Sequence, residues 1–240
     1  MTAGAEIRYL AIYEALKARV QGMPANTLLP TENELAEEFV VSRVTIRQAL
    51  ALLNQAGLIE RVRGKGTIVS PPKIVRNNIP MTALEDDFRR QGIQFETRVL
   101  QYEADFRAPP NVAEALKIHA KDKVGYLRLT RIVNRQIVCC EHRYLPASLA
   151  SRFDPQTVLS RGLAHVVSEL ANAPIDQVEF ETEILPADIE TAGILGVAPG
   201  APVFQNSFVY FLADETPVET GKIIYRVDRC KFRAVGRMRI

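Results

Sequence analysis

A chain of 240 residues is long enough for two domains, and 47% hydrophobic with 24% charged residues is an ordinary globular composition, not a disordered or fibrous one. A net charge of +2 excludes a polycation, so any nucleic-acid surface has to be local. Cys139, Cys140 and Cys230 lack zinc spacing, and there is neither a basic-then-apolar leader nor a membrane-length apolar run; reduced thiols, no metal, no cofactor, no membrane contact and a cytoplasmic chain are expected.

In chain order, Ile7, Leu10, Ala11, Tyr13, Ala15 and Leu16 recur at helical spacing, which predicts a first helix over residues 6–21, ended by Gly22, Met23 and Pro24. After the extended Leu29-Pro30 link, Thr31 with Glu34 three residues on is a capping box for a short helix with Leu35 and Phe39 on its apolar side. Only Val40 and Val41 separate it from the next helix, which Ser42 caps and Gly57 stops, with Ile46, Ala49, Leu50 and Leu53 as its buried face. So tight a joint sets two helices at a steep angle, as in a helix-turn-helix. The buried face leaves Arg43, Val44, Thr45, Arg47 and Gln48 outward at the N-terminal end, which suits insertion into a DNA major groove.

Residues 58–62 and 67–70 then read as two short strands about a turn containing Gly64 and Gly66, a basic wing carrying Arg61, Arg63 and Lys65 that can lie on phosphates or enter a narrow minor groove. A phosphate-binding P-loop is excluded, because Ile59 stands where its first glycine is needed and Gly66 follows Lys65. The preceding helix holds Glu32, Glu34, Glu37 and Glu38 without a base, so positive charge is confined to the third helix and the wing.

Pro71 and Pro72 open a linker that runs to Pro80, so the expected division is a DNA-binding domain over residues 1–70, a linker over 71–80 and a second domain over 81–240. There, Thr82 and Glu85 form a second capping box for a helix running to Gly92, and strands are expected at about 95–106, 123–134, 137–145, 175–185, 202–212 and 217–232, with helices at about 111–118, 157–171 and 187–195. Residues 177–185 alternate most clearly, with Val178, Phe180, Thr182 and Ile184 against Glu179, Glu181 and Glu183. Short turns between strands argue for a largely antiparallel sheet covered by helices on one side, and an α+β class for the whole chain.

Arg131 shares an apolar face with Leu127, Leu129 and Val133, a costly place for a cation without a partner. If residues 134–136 form a three-residue loop, Val133 faces Ile137 and Leu129 faces Glu141, which puts Glu141 diagonal to Arg131. The two either satisfy each other or bracket a ligand. Pro217, Glu219, Gly221, Ile223 and Tyr225 share another face, where Gly221 leaves an open space between Glu219 and Tyr225; the alternative there is a solvated strand face. His119, His142 and His165 are scattered with no nucleophile nearby, and Cys139 and Cys140 point to opposite faces, so no catalytic residue is expected.

Residues 28–69 resemble the winged helix-turn-helix of the GntR family of bacterial transcription regulators. The resemblance implies DNA contacts for Ser42, Arg43, Thr45, Arg47, Arg63 and Gly64; the polar position of the preceding helix is Asn33, where other members often carry Arg. Residues 80–235 look like the UTRA ligand-sensing domain of the HutC-type branch, similar in fold to chorismate lyase, through the helix over 82–92, Arg131, Glu141 ahead of Leu145-Pro146, Pro217-Val218-Glu219 and the run from Tyr225 to Arg229. It implies effector roles for Arg131, Glu141, Glu219 and Tyr225; the hairpin that usually reads Asp-Gly-x-Pro is here Asn134-Arg135-Gln136-Ile137. The expected function is a DNA-binding regulator, a repressor acting as a homodimer on an inverted-repeat operator and modulated by a small polar or anionic metabolite. The competing readings are a lyase-like enzyme and a constitutive DNA-binding dimer whose second domain only dimerises.

Overall fold

A computed structural model describes residues 3–62, 64–79 and 83–234, with backbone alone for 3–7 and 77–79. The chain divides into two compact units, residues 1–74 and 75–240.

The first unit opens with α1 (Ala3–Gln21), α2 (Glu32–Glu38) and α3 (Arg43–Gln55), followed by β1 (Ile59–Val62) and β2 (Gly66–Val69) paired antiparallel from Ile59↔Val69 to Val62↔Gly66. The Thr31–Glu34 capping box is present in full, and the Ser42 side chain accepts from the Thr45 N–H. Ile12, Leu16 and Val20 of α1 close on Leu35 of α2 and Ile46, Ala49, Leu50 and Leu53 of α3, with Ile59 and Val69 of the hairpin completing the core. Both helix ends that set this geometry are Schellman turns. Behind α3 the left-handed residue is Gly57, whose N–H reaches Asn54 O while Leu58 N–H reaches Leu53 O. Behind α2 it is Val40, at φ 53° and 87% exposed, so a β-branched residue makes the turn between the two helices.

The second unit comprises β3 (Ile74–Ile79), α4 (Leu84–Arg90), β4 (Glu96–Arg107), α5 (Pro110–Ala115), β5 (Lys123–Val133), β6 (Gln136–Pro146), α6 (Ala147–Ala150), α7 (Thr157–Arg161), α8 (Leu163–Ala171), β7 (Gln177–Pro186), α9 (Ile189–Leu195), β8 (Pro202–Phe211), β9 (Pro217–Arg226) and β10 (Cys230–Ala234), with Ile74 itself counted in the first unit. Six strands form an antiparallel sheet in the order β4-β5-β6-β9-β8-β7, and β3 pairs with β10 in a separate ribbon.

Several expectations are corrected. The span read as linker contains β3, whose partner lies at the far end of the sequence. One strand expected over 217–232 is two, divided by a turn at residues 227–229, and one helix expected over 157–171 is broken at Gly162, which sits at φ 81°. Helices cover both faces of the sheet: α9 packs on Cys140 and Ile224 and α5 on Val124 and Tyr144, whereas Glu85 of α4 reaches Arg131 on the opposite face. The central strand β6 is buried on both sides, so it needs cover on both. Thr82 lies outside the described residues; α4 is capped at Ala83, whose methyl group can accept no hydrogen bond, and Glu85 places its carboxylate on Arg131. The β5–β6 loop is a two-residue turn with Asn134 (φ 50°) and Arg135 (φ 64°) left-handed, as a type I′ turn requires, and it pairs Val133 with Gln136. A bulge beyond Ile132↔Ile137 then restores the expected Leu129↔Glu141 pairing.

Candidate nucleic-acid interface and ligand site

Serine 42 starts α3 and pairs its hydroxyl with that of Thr45 at 2.9 Å, fixing both at the helix N-terminus, where the backbone N–H groups give a positive field. Val44, 62% exposed, and Gln48 stand free of the core, while Ile46 and Ala49 face inward. The arginines are held by α2. Arg43 Nη1 donates to Asn33 Oδ1 at 3.2 Å, and Arg47 donates through Nε and Nη2 to Glu32 Oε2 at 3.2 and 3.0 Å. From the hairpin, Arg61 Nη2 donates to the other oxygen of the same carboxylate at 2.9 Å. Gly64 is left-handed at φ 77° and Lys65 N–H closes the hairpin turn on Val62 O, leaving the Lys65 side chain exposed; Arg63 lies outside the described residues. Seven of the expected contacts, Ser42, Arg43, Val44, Thr45, Arg47, Gln48 and Arg61, thus gather on α3 and the strand beside it. The engagement of these arginines by Glu32 and Asn33 is not foreseen in the sequence, where Asn33 stands only as the polar position of the helix and Glu32 as one of its acids. Their partners lie from 10 to 29 residues away, beyond the reach of any local periodicity.

In the second unit the sheet face carrying Arg131 holds a row of alternating charges. Arg131 Nη2 donates to Glu85 Oε1 at 2.5 Å and its Nε to Glu141 Oε1 at 2.7 Å, while Nη1 donates to Thr97 Oγ1. Arg143 continues the row, with Nε on Glu141 Oε2 at 2.6 Å and Nη1 on Glu219 Oε1 at 2.5 Å, and its guanidinium lies over the Phe208 ring. Every member is at most 4% exposed, so the reading of Glu219 and Tyr225 as a solvated face is excluded. Arg143 lies two residues from Glu141 and so on the same strand face, a signal present in the sequence; Glu85 had been spent on a helix cap.

The electrostatics are uneven along the row. Burial opposes ionisation of Glu141, but Arg131 and Arg143 together outweigh it and hold its carboxyl down at about 2. For Glu219 burial wins over the single arginine and its carboxyl is raised, with Oε2 buried and without a hydrogen-bond partner among the described residues. Tyr210, paired in register with Glu219, is pushed up to about 12 by burial. Tyr225 shares the face but stands apart from the row, register-paired with Cys139, edge-on to Phe232, and beside Arg76, which in turn is ion-paired with Asp87. Gly221 leaves no open space: a Cβ there would stand 2.2 Å from His142 O, so the glycine is what lets β6 and β9 approach. The space on this face is elsewhere, a cavity of about 250 Å³ lined by Tyr210, Val178, Ala83, Ser168 and His165. A wider depression of about 880 Å³, lined by Tyr144, Lys222, Ser207, Glu179 and Glu181, lies on the opposite face, away from the four residues expected to meet a ligand. No helix among the described residues is long and apolar enough to cross a membrane.

Two family descriptions match the chain: "Bacterial regulatory proteins, gntR family" over residues 8–69 and "UTRA domain" over residues 90–231. The HTH-type transcriptional repressor NagR of Bacillus subtilis is 30% identical over 226 residues, covering 93% of this chain and 92% of its own. The HTH-type transcriptional repressor PhnF of Mycolicibacterium smegmatis is 32% identical over 247 residues, covering 98% and 96%. The mannosyl-D-glycerate transport/metabolism system repressor MngR of Escherichia coli is 26% identical over 208 residues, covering 87% and 86%. Among solved structures, that of PhnF from Mycobacterium smegmatis superposes with a TM-score of 0.62 at 26% identity, covering 95% of this chain and 99% of that one.

Proposed function

This chain belongs to the GntR family of bacterial regulatory proteins, with a UTRA domain as its second unit, and from that premise we propose that it represses transcription as a homodimer on an inverted-repeat operator, released or reinforced by a small polar or anionic metabolite. It is a DNA-binding transcription regulator, as its relatives are by name, not an enzyme. The observation that carries the assignment of contacts is the single carboxylate shared by Arg47 of α3 and Arg61 of the hairpin, because it brings recognition helix and wing to one surface. Arg43 and Arg47 supply phosphate or guanine contacts, Thr45 a phosphate or base contact and Val44 an apolar contact to a thymine methyl; Ser42, Gln48, Arg61, Arg63, Gly64 and Lys65 complete the interface.

Arg131, Glu141, Glu219 and Tyr225 are assigned to the effector. What supports this is the unpartnered Glu219 oxygen and the acid surplus of the row, which favour a ligand rich in hydroxyl or ammonium donors; an anionic group on it would take over Arg131 or Arg143 from a carboxylate. A relative named for mannosyl-D-glycerate, a hydroxyl-rich carboxylate, points the same way. The test is operator binding of Arg43→Ala and Arg47→Ala at one fixed salt, where both variants lose affinity and keep the wild-type melting temperature; unchanged affinity in both removes the assignment. A thermal-shift screen of sugar phosphates, amino-acid derivatives and organic acids, with hits retested for operator release, tests the effector. If no compound in these classes shifts the melting temperature or operator affinity, the second unit serves dimerisation alone.

A further inference from the structure

Glu32 occupies the first position of α2, where a negative charge suits the helix N-terminus, yet both of its oxygens are taken up by arginines of other elements. Oε2 receives Nε and Nη2 of Arg47 and Oε1 receives Nη2 of Arg61, so a single carboxylate bridges two cations that are 15 and 29 residues away in sequence. Its side chain is 28% exposed against 61% for Arg47 and 52% for Arg61, which places the acid beneath the two guanidiniums. Asn33 beside it takes Arg43, so every arginine of the interface that the structure describes is engaged by α2 before DNA arrives.

We propose that Glu32 is a positioning residue that sets how sharply this protein discriminates its operator from other DNA. The inference rests on the reading in which Arg47 and Arg61 meet DNA. Two physical consequences follow from the bridge, and they act differently on the two kinds of complex. The carboxylate stays close to the phosphate backbone in any complex, and its repulsion weakens every DNA sequence alike. It also fixes two rotamer-rich side chains in one arrangement, and that preorganisation helps only a site where Arg47 must reach a particular base edge or phosphate. Operator binding therefore loses and gains together, whereas binding to random DNA only loses. Removing the charge should relieve random DNA of a penalty while costing the operator complex its prepared geometry.

The test uses the full chain and two duplexes, one selected from a random pool by the wild-type protein and one of scrambled sequence. Glu32→Gln keeps the size and one acceptor and removes the charge. Because exposed ion pairs of this kind are individually weak, scrambled DNA is expected to bind about two- to fivefold more tightly, with the selected duplex changed less, so the ratio between them falls. The dependence of log K on log salt for scrambled DNA should steepen by about 0.9, one additional phosphate contact, a readout that a merely structural role would not move. In an Arg47→Met background the same substitution should have a smaller effect. An unchanged ratio and slope overturn the proposal, as does an equal loss on both duplexes. Arg47→Ala separates the two levels: if it binds the selected duplex as wild type does, the DNA contact itself is wrong, whereas weak Arg47→Ala binding with an unchanged Glu32→Gln ratio refutes this inference alone.

Discussion

Replacing Arg131 by alanine is the most direct perturbation of the charge row in the second unit. The side chain is 0% exposed and ion-paired with Glu85, itself 4% exposed, and with Glu141, at 0%. Truncation leaves Glu141 one cation, Arg143, but takes from Glu85 the guanidinium that holds it, at a position only 4% exposed. Breaking a buried pair from one side costs about 3–5 kcal/mol, because the remaining charge stays desolvated. For a unit of this size each kcal/mol lowers the melting temperature by about 2–4 °C, so a fall of about 6–20 °C is expected. Urea unfolding with calorimetry on the full chain measures it. The paired variant Arg131→Met with Glu85→Gln removes both charges of that pair and should lose less than Arg131→Ala alone, although it has two substitutions. A melting temperature for Arg131→Ala within about 4 °C of wild type would refute the reasoning, since a solvated pair contributes only about 0–1 kcal/mol. The same arithmetic governs any effector assay on this variant: a lost ligand response is informative only below its own unfolding midpoint.

Three further outcomes follow from single positions. Gly221→Ala puts a Cβ 2.2 Å from a backbone oxygen that cannot swing aside, and should destabilise at the upper end of the about 1–3 kcal/mol typical of overpacking, measured by urea unfolding. Val40→Gly relieves an exposed β-branched residue at φ 53° and, after glycine's own entropic cost, should stabilise by about 0.5–1 kcal/mol; a destabilised variant would contradict the strain argument. His142 is held down at about 4 by burial, then by Lys222 and Arg128, so its neutral form is favoured in the fold. A lowered folded value means its stabilisation is full above the unfolded value near 6.5 and is lost as pH falls through about 4. Discounted for a ring that is only half-buried, the effect is about 1–2 kcal/mol, and His142→Gln should flatten the stability profile between those two pH values relative to wild type.

The first unit was legible because its boundaries are written in local chemistry. Thr31, Ser42 and Gly57 mark helix ends by capping and by a left-handed turn, and the helical spacing of Ile46, Ala49, Leu50 and Leu53 names the buried face without reference to anything distant. The second unit was legible strand by strand and less so in assembly. Pairing of β3 with β10 joins the two ends of that unit, and proline-rich residues ahead of β3 look like a linker whether or not a partner waits at the other end. Cover on both sheet faces was foreshadowed by the apolar run from Ile137 to Cys140, which gives both sides of the first half of β6 apolar residues to bury. Arg131 and Glu141 were found because an ionic side chain on an apolar face is costly and has to be explained; the same test applied two residues further would have found Arg143. Gly221 was misread because a missing side chain in a strand can signify either room for a ligand or the absence of room, and only the neighbouring backbone decides.

The two units meet the same electrostatic problem with opposite settings. In each, cations suited to an anionic partner are already held by carboxylates of the chain itself: Arg47 and Arg61 by Glu32, Arg131 and Arg143 by Glu85, Glu141 and Glu219. In the first, the arginines are more than half exposed, water screens the pairs, and phosphates can take over the guanidiniums at little cost. In the second, all partners are buried and a departing carboxylate would be stranded in a low-dielectric interior. On the proposed effector reading, a ligand has to replace what it displaces, atom for atom, or exploit a buried carboxylate oxygen without a partner among the described residues, Glu219 Oε2. For the proposed effector site this constraint predicts selectivity: a compound able only to offer charge gains nothing, whereas one that places a donor on Glu219 while leaving Arg143 bonded relieves a carboxylate whose second oxygen has no partner among the described residues.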